Sequence, residues 1–105
     1  MNSITPGHLY ELANFEKKTA PGQRLQFIEK VPDETGHPGK LRTVNDGTTN
    51  EEVLAMLIDR LNSLQAKFPC RENAIAITHI ETALLWLEKR TKDRAARGVE
   101  GKALK

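Results

Sequence analysis

Two apolar stripes with a single proline between them constrain this chain more than any other feature. Leu54, Leu57, Leu61, Leu64 and Phe68 follow a 3-4-3-4 spacing, the period of a helix that packs along one seam. Val53 and Ile58 widen the seam, and Pro69 then ends it, since proline neither donates to nor fits inside a helix. Ile77, Ile80, Leu84 and Leu87 repeat the pattern, with Ala76, Ala83 and Trp86 on a neighbouring stripe. The spacing predicts one helix from about Thr49 to Lys67 and a second from about Arg71 to Arg97. Their connection, Pro69-Cys70, is so short that the two must lie antiparallel as a helical hairpin.

The ends of the helices are marked. Thr49 followed three residues later by Glu52 is a capping box, placed just after the breaker Asn45-Asp46-Gly47. Cys70 reads as a small residue opening the second helix, of a type that is usually buried and inert. Gly98 suits the left-handed position beyond the second helix, with Val99 behind it for a Schellman contact.

The region before the hairpin is read differently. Thr5 is a fair N-cap and Pro6 suits a first helical position, so a short helix running to about Lys18 is expected, with Leu9, Leu12 and Ala13 apolar. Pro21 to Gly47 reads as a β-hairpin. Leu25, Phe27 and Val31 alternate with Gln26, Ile28 and Lys30; a turn-rich stretch (Pro32, Asp33, Gly36, Pro38, Gly39) follows; and Leu41–Val44 offers the return strand. Two strands alone are marginal in water, so this hairpin needs further packing. The expected fold is α+β, mainly α: one domain of 105 residues, with 1–47 holding the short helix and β-hairpin and 48–101 the helical hairpin. The apolar faces are too wide for two helices to cover, which points to an oligomer.

Composition excludes several classes. No apolar run approaches the roughly 18–20 residues of a membrane span. The opening MNSITPGHLYEL has no basic region followed by an apolar one, so secretion is not expected and a cytoplasmic location is. One cysteine excludes an internal disulfide and leaves too little thiol for structural zinc. His8, His37 and His79 lie in three separate segments without metal-type spacing, and His79 reads as a polar residue at the rim of a helix interface. Glu51 and Glu52 are adjacent and diverge on a helix, which suits capping rather than acid–base work. There is no phosphate-cradling glycine motif and no nucleophile elbow. No catalytic residue, metal or cofactor is expected.

Charge is unevenly placed. Lys89 to Lys105 carries seven basic residues against two acidic ones, while residues 1–88 carry nine against twelve. Such asymmetry points to an anionic partner near one end, though it is too small to demand duplex nucleic acid. Arg90, Arg94 and Arg97 stand at i, i+4 and i+7, so one helix face carries three guanidinium groups able to grip phosphate oxygens. Cations there also complement the helix dipole, and spacing by itself favours that structural role. Asn73, near the start of the second helix, has an amide suited to a base edge, with backbone N–H groups nearby; capping or solvent exposure is its plain alternative.

The stretches GTTNEEVL (Gly47–Leu54), PCREN (Pro69–Asn73), THIETALLWL (Thr78–Leu87) and RTKDRAARGVEG (Arg90–Gly101), in that order, resemble the helical-hairpin domain of the phage anti-CBASS and Thoeris anti-defence cyclic-nucleotide sponges. The preceding LQFIEKV segment is similar to the more variable N-terminal part of the Thoeris-type members. The resemblance implies a homohexamer that sequesters cyclic oligonucleotide immune signals uncleaved, in the cytoplasm of an infected bacterial host. It implies a trinucleotide pocket whose phosphate ligands are Arg90 and Arg94, with Arg97 on the same face, and a pocket for cyclic dinucleotides or cyclic ADP-ribose isomers that uses Asn73. An aromatic that stacks on a base in some members falls near Ser63, which is not aromatic; Phe68 or Tyr10 are the rings available instead. Two other readings compete: a small phage nucleic-acid-binding protein that uses the Arg-rich C-terminal end, and a helical assembly protein with no small ligand.

Overall fold

The computed structural model describes residues 1–35 and 39–98, which form two compact units divided at Thr49. His37, the centre of the 32–39 turn, and the expected Val99 contact lie outside the described residues.

The first unit is all β. Strand β1 (Asn2–Thr5) pairs antiparallel with β2 (Leu9–Leu12), and β2 pairs antiparallel with β3 (Gln23–Gln26), giving the order β1-β2-β3. The short helix expected up to Lys18 is therefore absent. The reason is Gly7, whose φ of 80° is open to glycine and costly for other residues. Pro6-Gly7 occupy the centre of a turn closed by His8 N–H donating to the Thr5 carbonyl at 2.9 Å, and proline followed by a left-handed glycine is the signature of a type II turn. In register, Tyr10 faces Leu25 and Glu11 faces Arg24, the latter pair 3.9 Å apart.

Strand β4 (Glu29–Pro32) pairs antiparallel with β5 (Leu41–Asn45), which realises the expected β-hairpin but shifts its first strand. The run Leu25–Val31, expected as one strand, is divided at Phe27-Ile28 between the two sheets. A clasp ties the sheets at that point: Thr48 N–H donates to the Gln26 carbonyl and Ile28 N–H to the Thr48 carbonyl, each at 2.9 Å. Gly47 makes the clasp possible, because a Cβ there would stand 2.4 Å from the Gln26 carbonyl oxygen. The ring of Tyr10 meets that of Phe27 edge to face, centroids 5.9 Å apart.

The second unit is the helical hairpin, α1 (Asn50–Lys67) and α2 (Arg71–Ala96), with bounds close to those the periodicity predicts. Cys70 is the N-cap of α2, and its Sγ accepts from Asn73 N–H at 3.4 Å; contrary to expectation the thiol-bearing residue is exposed. Gln65 locks the turn, its Nε2 donating to the Cys70 carbonyl at 2.8 Å and its Oε1 accepting from Cys70 N–H at 3.0 Å. Gly98 takes φ 71° and its N–H donates to the Ala95 carbonyl, half of a Schellman ending.

Among the described residues one hydrophobic side chain is buried, Ile77, at 9% exposure. Leu54, Leu57, Leu61, Ile80, Leu84 and Leu87 are half-buried along the α1–α2 seam. Trp86 does not share that seam. It is 66% exposed, beside Leu85 at 67%, while Met56, Leu64 and Ile75 are exposed as well.

Candidate functional site

The C-terminal half of α2 presents a charged hollow. Trp86, Lys89, Arg90, Asp93 and Arg97 line an open space of about 580 Å³. At 100° per residue, the steps from Trp86 to Arg90, Asp93 and Arg97 keep to one narrow face of the helix. Lys89 Nζ sits 2.6 Å from Asp93 Oδ2, so the carboxylate that lines the hollow among the described residues is already matched by a cation. Arg90 and Arg97 add two further guanidinium groups to this wall. An anion is the partner such a wall suits, and paired guanidinium groups suit phosphate best.

The three arginines singled out by spacing are thus not equivalent. Arg90 and Arg97 line the hollow and are exposed, whereas Arg94 is half-buried and outside the lining. Arg94 is rotated about 40° from Arg90 around the helix, toward the side that carries Leu87. Trp86, Lys89 and Asp93 were not singled out as site residues. The i, i+4, i+7, i+11 series from Trp86 through Arg90 and Asp93 to Arg97 is the signal for Trp86 and Asp93, and the i, i+4 spacing to Asp93 is the signal for Lys89.

Asn73 is half-buried in the first turn of α2. The backbone N–H groups of Asn73 and Ala74 are both taken by Cys70, through its Sγ and its carbonyl at 3.4 and 3.3 Å. Those two amides are therefore spent on the cap and not offered to an anion. No hydrogen bond engages the Asn73 side-chain amide among the described residues. Asn73 and Arg90 stand about 25 Å apart along one straight helix at 1.5 Å per residue, so within a chain they belong to separate places.

Ser63 is exposed on α1. Of the two rings considered in place of an aromatic there, Tyr10 is engaged with Phe27 in the β unit. Phe68 is 81% exposed at the end of α1, beside the turn that leads to Asn73.

The histidines do not converge: His79 is exposed on α2, and His8 is half-buried in the β unit, its Nδ1 without a hydrogen-bond partner. No group of three His, Cys, Asp or Glu side chains gathers as a metal site among the described residues. Glu51, Glu88, Thr91 and Lys92 line a second, smaller hollow of about 290 Å³, where the start of α1 meets the end of α2. No described helix is long and apolar enough to cross a membrane.

Comparison with known proteins bears on the same region. A family model described as the Acb2/Tad1 hairpin domain matches residues 26–92, which take in β4, β5, α1 and most of α2 and stop short of Arg94 and Arg97. The chain is also 51% identical over 75 residues to a protein named Thoeris anti-defense 1 from Bacillus phage SBSphiJ7. That alignment covers 60% of this chain and 53% of the phage protein, so the chain spans about half the length of the curated relative it matches.

Proposed function

The chain belongs to the Acb2/Tad1 hairpin-domain family, and from that membership and the hollow on α2 we propose that it is a phage anti-defence protein that binds cyclic oligonucleotide immune signals and holds them without cleavage. The observation that carries the reading is the wall of Arg90, Arg97 and Lys89, in which the carboxylate of Asp93 is paired with Lys89. Arg90 and Arg97 hold the phosphates of a cyclic trinucleotide from within the hollow, and Arg94, half-buried on the adjoining face, joins Arg90 as its second guanidinium partner. Asn73 belongs to a second pocket for a cyclic dinucleotide or a cyclic ADP-ribose isomer, with the exposed ring of Phe68 at the same end of the hairpin. Repetition of guanidinium groups by symmetry would surround a compact ligand with several phosphates, which suits a homohexamer. Leu85, Ile75 and Met56, exposed on the two helices, are apolar surface for such an assembly to cover. The protein works by retention: arginine stays protonated and an amide does not titrate, so these ligands bind phosphate and base but make poor general bases. Its place of action is the cytoplasm of the infected bacterial host.

The test is native mass spectrometry of the protein with a panel of cyclic di- and trinucleotides, followed by calorimetry on variants. Arg90→Ala with Arg94→Ala abolishes trinucleotide binding and leaves the oligomer intact. Asn73→Ala weakens the cyclic dinucleotide or cyclic ADP-ribose ligand and spares the trinucleotide. Ligand recovered after long incubation, with or without magnesium, is chemically unchanged. Linear product accumulating over many turnovers would show a phosphodiesterase instead. Binding of duplex DNA that falls steeply with salt, without any cyclic nucleotide bound, would favour a nucleic-acid-binding protein.

A further inference from the structure

We infer that Trp86 is the nucleobase platform of the α2 hollow: a base of the bound ligand stacks on its indole while Arg90 and Arg97 hold the adjoining phosphate. The inference rests on the proposed nucleotide ligand and adds the residue that reads its aromatic part. Three observations carry it. Trp86 lines the same hollow as the two arginines, yet it is 66% exposed rather than part of the helix seam. Its indole has no ring partner and no cation stacked on it among the described residues, where the one aromatic pair is Tyr10 with Phe27. It also lies one helical turn from Arg90, about 6 Å along the axis, a separation of the order of that between a nucleotide's base and its phosphate.

The chemistry follows from those positions. An indole left in water is a large apolar surface with a π face, and a purine is a flat partner of matching size. Stacking of this kind tolerates any base, so Trp86 contributes affinity for the aromatic part of the ligand and not base identity. Phosphate alone would engage the arginines without it. The Lys89–Asp93 pair, 2.6 Å apart, forms the charged edge beside the ring.

Trp86 is the only tryptophan in the chain, so its fluorescence reports the contact directly. Native protein is titrated with cyclic triadenylate, with linear triadenylate and with inorganic tripolyphosphate, following emission and binding heat together. Cyclic triadenylate is expected to quench Trp86 in proportion to binding, and tripolyphosphate to bind without quenching. Linear triadenylate separates the two sources of this chemistry: equal affinity and quenching would mean that the hollow takes single-stranded nucleotide in general, and would overturn the cyclic-ligand form of the inference. Trp86→Leu should weaken cyclic triadenylate by about tenfold or more and leave tripolyphosphate unchanged, while Trp86→Phe restores most of the loss. Arg90→Ala should weaken both probes. If Trp86→Leu does not fold, Trp86→Phe and quenching of the native protein decide the matter. Binding heat with no quenching, and with emission already blue-shifted and dependent on protein concentration, would make Trp86 a contact between copies and overturn the inference while the proposed function stands. No binding of any cyclic nucleotide would remove both.

Discussion

The side-chain amide of Gln65 holds the backbone of Cys70 by both of its polar groups, as a paired strand would. One residue in the last turns of α1 thereby satisfies the N–H and the carbonyl of the N-cap of α2. The turn is fixed by a side chain because Pro69 has no N–H to contribute. Gln65→Ala should lower hairpin stability by about 1 kcal/mol, read as a drop in the thermal midpoint by circular dichroism. Gln65→Glu should not rescue it, because a second carboxylate oxygen would face the Cys70 carbonyl where an N–H now donates. An unchanged midpoint for both variants would mean that Pro69 alone sets the turn.

Ile77 should be the most sensitive apolar position of the hairpin. Ile77→Ala removes buried methylene groups and should cost about 2–3 kcal/mol. Leu85→Ala, at a position 67% exposed, should leave the hairpin's own stability nearly unchanged. Denaturation at two protein concentrations separates the effects. If copies cover Leu85, its replacement lowers the midpoint only at the higher concentration.

Gly47→Ala should loosen the clasp between the two sheets. The added Cβ meets backbone, not a side chain that can swing away, at the point where Thr48 N–H reaches Gln26. A cost of about 1–3 kcal/mol is expected, and hydrogen exchange at the Thr48 and Ile28 amides should accelerate. Protection unchanged at those amides would show that the backbone shifts without penalty.

Asp93→Asn should raise affinity for tripolyphosphate several-fold at low ionic strength. The substitution keeps shape and deletes the carboxylate that pairs with Lys89, releasing Lys89 to the ligand. Both side chains are well exposed, so the gain should shrink as salt screens it. Calorimetry at two salt concentrations checks this; weaker binding at both would mean that Asp93 orders Lys89 for the ligand.

The helical hairpin was legible because its signal is long. Eighteen residues of α1 and 26 of α2 carry the seam through several turns, with Pro69 and Gly98 at the stops. The β unit was less legible because each strand has four or five residues, too few for a period to assert itself. Thr5-Pro6 satisfied the rule for a helix start, but Pro6-Gly7 satisfied the rule for a type II turn, and the left-handed glycine decided between them. The division of Leu25–Val31 had no local sign, since it depends on Thr48 arriving from elsewhere in the chain. At the site, spacing found the arginines but not their unequal exposure, which follows from the 40° or so between Arg90 and Arg94. Trp86 was grouped with Ala76 and Ala83 because an apolar residue on a helix is read as facing inward; here it faces out.

One buried side chain among the described residues has a consequence for how this protein diverges. Where an interior is closely interlocked, folding itself selects most apolar residues, and relatives vary mainly on their surfaces. This hairpin has a half-buried seam around Ile77 and little closed interior, so self-packing filters substitutions along that seam and few outside it. An apolar residue on the outer faces, such as Leu85 or Trp86, is not held there by packing within the hairpin. Substitutions at those outer positions should therefore report on neighbours and ligands, and substitutions along the seam on the fold.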